Sequence, residues 1–139
     1  MTLSALEATL QIYRDGVERV FEEIPVWRAL STPQELLYRR ANSLLSELSH
    51  NSDWSFQIVE GRAAIGGGAL PTAYIPSVRI AIRSEKTSPE EIEQSFRRRF
   101  PPIIGIIEEG SFHLDLRTVH EDEYSFLKSA LLELVSSSP

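Results

Sequence analysis

The sequence predicts an α+β fold: N-terminal helices, then the order β-β-α-β-β-α, giving a mostly antiparallel four-stranded sheet with helices packed on one face. Three observations predict it. Apolar residues recur at spacings of three and four from residue 2 to residue 49, the period of amphipathic helices. The period then becomes two, at 54–59 and again at 77–83, before a capped helix start at Ser88. Finally, residues 100–119 read as a hairpin, and another amphipathic helical stretch follows them.

Residues 2–13 form the first helix. Leu3, Leu6, Leu10 and Tyr13 lie on one stripe, Thr2 or Ser4 can cap it, and Ser4 with Glu7 has the spacing of a capping box. Asp15-Gly16 is its stop. Val17, Val20, Phe21 and Ile24 predict a second short helix before Pro25, and Val26, Trp27 and Leu30 an apolar bridge. Thr32-Pro33-Gln34-Glu35 starts the next helix with a cap, a proline at its first position and an early glutamate. Leu36, Leu37, Arg40, Ala41, Leu44, Leu45 and Leu48 trace one face to about residue 49.

A polar turn at 50–53 leads into a strand in which Trp54, Phe56 and Ile58 alternate with polar or outer positions. Residues 61–76 read as a long loop holding Gly66, Gly67 and Gly68, and its length argues for a function or a tightly folded connection. In the next strand Val78, Ile80 and Ile82 alternate with Arg79, Ala81 and Arg83. Ser88-Pro89-Glu90-Glu91 opens a helix with Ile92 and Phe96 inward and Arg97, Arg98 and Arg99 at its end, where cations suit the helix dipole.

In the hairpin, Pro101-Pro102 fixes the entry and the β-branched run 103–107 reads as a buried strand. Glu108-Glu109-Gly110 is the turn. Phe112, Leu114 and Leu116 then face the core, while His113, Asp115 and Arg117 share the opposite, polar face. The last helix starts near the acidic run 121–123, with Tyr124, Leu127, Leu131 and Leu134 as its stripe.

A chain of 139 residues suits a single domain spanning 1–139, with a helical segment at 1–50 and a sheet unit at 51–135. It buries about two thirds of its unfolded surface and needs no staple. The absence of cysteine excludes a disulfide framework and thiolate zinc sites. His50, His113 and His120 lack ligand spacing, so no metal is expected. No apolar run reaches the ~20 residues that cross a bilayer, and residues 1–10 do not read as a signal peptide; the expected location is cytoplasmic. A net charge of −6 disfavours autonomous nucleic-acid binding.

Two site candidates stand out. The backbone N–H groups of Gly66, Gly67 and Gly68 could approach an anion, or these glycines could form a bulge or tight crossing; no Lys-Ser/Thr pair follows, so they are not a P-loop. Arg117 could grip a carboxylate or phosphate bidentately, or pair with Asp115 or the acidic run 121–123. Arg39-Arg40 and Arg97-Arg98-Arg99 could meet phosphate, or be solvated helix positions.

Three stretches, in order, carry a resemblance. They are Leu3-Ser4-Ala5-Leu6-Glu7-Ala8-Thr9-Leu10, Gly66-Gly67-Gly68-Ala69-Leu70-Pro71-Thr72, and Pro101-Pro102-Ile103-Ile104-Gly105 with Leu114-Asp115-Leu116-Arg117-Thr118-Val119. From Leu3 to Leu132 the chain resembles the C-terminal domain of bacterial selenocysteine synthases, the L-seryl-tRNA(Sec) selenium transferases, within the fold-type-I pyridoxal phosphate enzymes. The resemblance implies a small α+β domain, a glycine loop lying toward the active site, and a parent reaction from seryl-tRNA(Sec) to selenocysteinyl-tRNA(Sec). Many fold-type-I enzymes hold a substrate carboxylate with an arginine of this domain, which implies the same for Arg117; the serine of seryl-tRNA is esterified, which implies instead a structural or tRNA-facing Arg117.

The sequence also departs from the family. Ala69 stands for its serine, and Ile106 for its usual arginine after Ile-Gly. The lysines are Lys86 and Lys128, and neither matches the Schiff-base lysine, which the family carries ahead of the helix resembling 3–10. No catalytic residue, and no pyridoxal phosphate bound to this chain alone, is therefore expected. The implied partners are a cofactor domain or a neighbouring subunit, with self-association through 3–13 and with tRNA(Sec) met only by the full enzyme. Two rival functions are part of a related pyridoxal phosphate enzyme acting on a small amino acid or sugar acid, and a stand-alone interaction domain without catalysis.

Overall fold

The computed structural model describes residues 2–48, 53–65 and 74–136. The chain divides into two compact units, Met1–Pro33 and Gln34–Pro139.

The first unit holds α1 (Thr2–Asp15), α2 (Val17–Glu23) and α3 (Pro25–Ser31). Gly16, at φ 126°, breaks α1 from α2 as its sequence position predicts, because only glycine reaches that conformation without strain. Ser4 lies inside α1 and does not cap it, so the predicted box with Glu7 is not formed. The apolar bridge 26–30 is in fact helical, because Pro25 presets the first turn of α3. The Trp27 indole donates to the Tyr13 hydroxyl at 2.7 Å and meets the Phe21 ring edge-on at 5.9 Å. Leu3, Leu6 and Leu10 stay more than half exposed.

The second unit is the predicted α+β fold. It contains α4 (Gln34–Ser46), β1 (Trp54–Ala64), β2 (Tyr74–Ser84), α5 (Pro89–Arg97), β3 (Ile106–Glu108), β4 (Ser111–Asp115) and α6 (Tyr124–Ser136). The sheet order is β1-β2-β4-β3, every pair antiparallel. Its core is built from one phase of each strand: Val78, Ile80 and Ile82 of β2 and Phe112 and Leu114 of β4. Leu37, Ala41 and Leu44 of α4, Ile92 and Phe96 of α5, and Leu127, Ala130 and Leu131 of α6 complete it. Phe96 and Phe112 stack at 5.4 Å, tying α5 to the sheet.

Local rules set most boundaries. Ser88 and Glu91 form the predicted capping box: the Ser88 hydroxyl accepts from Glu91 N at 3.3 Å and the carboxylate accepts from Ser88 N at 2.8 Å. Thr32 closes α3, its hydroxyl donating to Arg28 O at 2.8 Å. The hairpin turn has positive φ at both Glu109 (49°) and Gly110 (69°), as a two-residue I′ turn requires. Ahead of α6, His120 caps a 3-10 turn at Glu121–Glu123 and exchanges bonds with Glu123.

Two expectations need correction. The loop drawn at 61–76 is shorter: β1 runs on to Ala64 and β2 begins at Tyr74, with Ala64 opposite Tyr74. Pro76 sits inside β2 opposite Arg62, beyond the stretch Arg79–Ile82 that pairs with β4. There a missing N–H breaks no ladder bond to β4. The run 103–107 is an edge rather than a buried strand: only Ile106–Glu108 pair, and Ile104, Ile106 and Ile107 are exposed. Gly105 lets the chain pass close against β4 there. A Cβ at this position would overlap the Phe112 ring and come within 2.5 Å of His113 O.

Candidate functional site

The face of the sheet away from α4, α5 and α6 forms a trough of about 980 Å³. Alternation decides its lining. With Val78, Ile80, Ile82, Phe112 and Leu114 in the core, Arg79, Ala81 and Arg83 of β2 and His113 and Asp115 of β4 line the trough. Val59 of β1 and Ile106 of β3 flank them.

The charges in the trough are engaged with one another. Arg79 donates to Glu108 Oε2 at 2.6 Å, to Asp115 Oδ2 at 3.3 Å and to Arg62 O at 2.8 Å. Gly61 makes this possible, because a Cβ there would lie 2.6 Å from Arg79 Nε. Arg83 donates to the buried Ser111 hydroxyl and, at 3.3 Å, to Glu109 O. Asp115 is the common acceptor, taking Ser77 Oγ at 2.6 Å and Arg117 N at 3.0 Å in addition to Arg79. At the end of the trough beside the Ala64–Tyr74 pair, the Arg62 guanidinium lies 4.5 Å from the Tyr74 ring centroid.

Arg117 does not share a strand face with Asp115. β4 ends at Asp115, whose carboxylate caps a 3-10 turn at Leu116–Thr118, and the turn carries Arg117 out of the strand's phase. Arg117 is 7% exposed and its Nη2 donates to Pro76 O at 2.5 Å. The arginine thus takes the β2 edge where β4 has left it. Burial lowers its pKa from the ordinary guanidinium value, and the Asp115 carboxylate acts in the opposite direction.

His113 lies on the predicted polar face and is 8% exposed. Its Nε2 lies 3.2 Å from Glu108 O, while Nδ1 is buried and has no hydrogen-bond partner among the described residues. Sequence alternation found its face; burial came from β3 folding back alongside, with Ile106 directly opposite.

Gly66, Gly67 and Gly68 lie outside the described residues. Of the other arginines, Arg97 pairs with Glu93 at 2.5 Å, Arg99 with Glu133 at 2.8 Å, and Arg40 with Glu121. Arg39 and Arg98 are exposed. The described residues do not fit a pyridoxal phosphate site. Lys86 is held by Asp53 at 2.8 Å and Lys128 by Glu47, and neither ammonium lines the trough. Among the described residues, no cluster of His, Asp and Glu could hold a metal, and no helix is long and apolar enough to cross a membrane.

Residues 1–120 match the family model described as L-seryl-tRNA selenium transferase. The chain is 39% identical over 137 residues to the L-seryl-tRNA(Sec) selenium transferase of Geotalea daltonii, covering 97% of this chain and 29% of that protein. It is 37% identical to the protein of the same name in Geobacter sulfurreducens, covering 98% and 30%, and 34% identical to that of Aquifex aeolicus, covering 98% and 29%. The chain therefore spans about three tenths of the length of the curated relatives it matches.

Proposed function

Since this chain belongs to the L-seryl-tRNA selenium transferase family, we propose that it is the C-terminal domain of such an enzyme and is inactive alone. The whole enzyme converts seryl-tRNA(Sec) to selenocysteinyl-tRNA(Sec) in the cytoplasm, with pyridoxal phosphate supplying the electron sink when bound. One observation carries this reading: nearly all of this chain, but only 29% of the Geotalea daltonii protein, lies in the match. Both lysines being taken by carboxylates supports it from within the chain.

In this reading Gly66, Gly67, Gly68 and Arg117 stand near the assembled active site. The support for Arg117 is its bond to Pro76, three positions from the end of the 65–73 connection. It holds the stem of the glycine segment and does not itself need to touch substrate. A guanidinium already committed to a backbone carbonyl is poorly placed to grip a free carboxylate, so the reading as a small amino-acid or sugar-acid enzyme loses its main support. The cofactor domain and a neighbouring subunit are the proposed partners. The exposed stripe Leu3, Leu6, Leu10 and Tyr13 supports self-association, because a contiguous apolar stripe gains by leaving water. tRNA(Sec) would be bound chiefly by other parts of the enzyme, given the charge of −6.

The test combines this chain with the separately produced remainder of the Geotalea daltonii enzyme and assays selenocysteinyl-tRNA formation. Product is expected only when both are present. A stoichiometric borohydride-trapped cofactor adduct at Lys86 or Lys128 of the chain alone would overturn the reading.

A further inference from the structure

We propose that α1 pairs antiparallel with α1 of a second copy of this chain, across a two-fold axis that sets Glu7 of each copy against Arg14 of the other. This deepens, and rests on, the reading of the stripe from Leu3 to Tyr13 as a self-association face.

The first unit does not complete a core of its own. Among the described residues 3–33, Val20 alone is buried. Leu3, Leu6, Leu10 and Tyr13 are between 49% and 81% exposed. Their spacing of three and four is that of a seam between two helices. A groove along α1 is lined by Leu3, Leu6, Glu7, Leu10, Gln11 and Arg14. Glu7 and Arg14 are seven positions apart, close to two turns, so they flank the same side of the seam.

Charge selects both the occupant and its direction. Among the described residues Glu7 has no ion-pair partner. Arg14 approaches a carboxylate only at Asp15, 3.9 Å away, and that carboxylate is also held by Arg19. A two-fold axis crossing the helix pair midway between positions 7 and 14 exchanges the two levels and keeps the side. Glu7 then stands level with Arg14 of the second copy, and Arg14 with its Glu7. Leu10 meets its counterpart near the axis, and Leu6 comes level with Tyr13 of the second copy. In a parallel pair this side would meet the other flank of the seam, where Thr9 stands, and neither ion pair would form. The surface is thus complementary to itself in the antiparallel arrangement alone. Opposed charges flanking a helix seam set partner and orientation while the apolar residues supply the burial.

The test uses the full 139-residue chain in sedimentation equilibrium. The parent should dimerise reversibly. Glu7→Arg and Arg14→Glu should each weaken dimerisation about tenfold, since either change turns two exposed attractions into two repulsions. An equimolar mixture of the two variants should recover the parent's affinity as a heterodimer, because its facing pairs are again opposite in sign. Variants that had merely misfolded would not rescue each other. The chain lacks cysteine, so Leu10→Cys should oxidise to a covalent dimer while Leu3→Cys does not. Equal cross-linking of the two would make the pair parallel and overturn the proposal. Variants that dimerise as tightly as the parent, or a mixture without rescue, overturn the ion-paired arrangement and leave self-association standing. A strictly monomeric parent overturns both, and leaves the enzyme-domain reading to its own assay. Conversion of the dimer to a one-to-one complex by the separately produced remainder of the Geotalea daltonii enzyme would assign the stripe to that polypeptide and overturn the pair.

Discussion

The two faces of β4 are both buried, but by different chemistry. Toward the helices, Phe112 and Leu114 are covered by carbon, and their contribution is the removal of apolar surface from water. Toward the trough, Ser111 and His113 are equally covered, yet their contribution depends on whether each polar atom finds a partner. Ser111 has one in Arg83, and His113 has one for a single nitrogen. Burial alone therefore says little about what a residue contributes. The apolar face is a finished core, whereas on the polar face one nitrogen of His113 has no hydrogen-bond partner among the described residues.

Mutations sharpen this contrast. Phe112→Ala should have the largest effect, about 3–5 kcal/mol for a fully buried aromatic. It loses the stack on Phe96 as well as its area. Leu114→Ala follows at about 2–5 kcal/mol. Denaturant midpoints measure both, and a small loss at either would break the picture of a packed apolar face.

Asp115→Ala, on the other face, should cost about 1–3 kcal/mol, because it strands donors that now share that carboxylate. Its signature should be faster amide exchange at 116–118, the turn that the carboxylate caps. His113→Ala should cost on the order of 1 kcal/mol, the value of its one hydrogen bond. If His113→Ala proves as costly as Leu114→Ala, the two faces do not differ as described.

The smallest effects belong to the surface cap of α5. Ser88→Ala should cost about 1 kcal/mol, as for other N-caps. Glu91 has its pKa lowered by accepting the backbone N–H of Ser88 and then its hydroxyl. A lowered folded pKa means that the stabilisation is present above the unfolded carboxyl pKa and is lost as pH falls through the folded one. Glu91→Gln should therefore lower stability near neutrality, and its difference from the parent should shrink toward acid. A constant difference across that range would rule out the charged cap.

The sequence by itself determined the elements governed by near neighbours. The Gly16 break, the Ser88-Glu91 box, the Glu109-Gly110 turn and the alternation in β2 and β4 each depend on residues at most a few positions apart, so period and turn chemistry suffice to place them. The family motifs were legible for the same reason. Tertiary structure decided what depended on contacts between distant segments. Arg117 reads as a strand residue until the Asp115 carboxylate caps a turn and Pro76, 41 positions away, accepts the guanidinium. His113 reads as a polar-face residue, and its burial comes from β3 pairing beside it. The run 103–107 reads as buried because it is β-branched, but a strand is covered only if another element lies over it, and here it is the sheet edge. Periodicity reports which way a side chain points, whereas its surroundings depend on the whole fold.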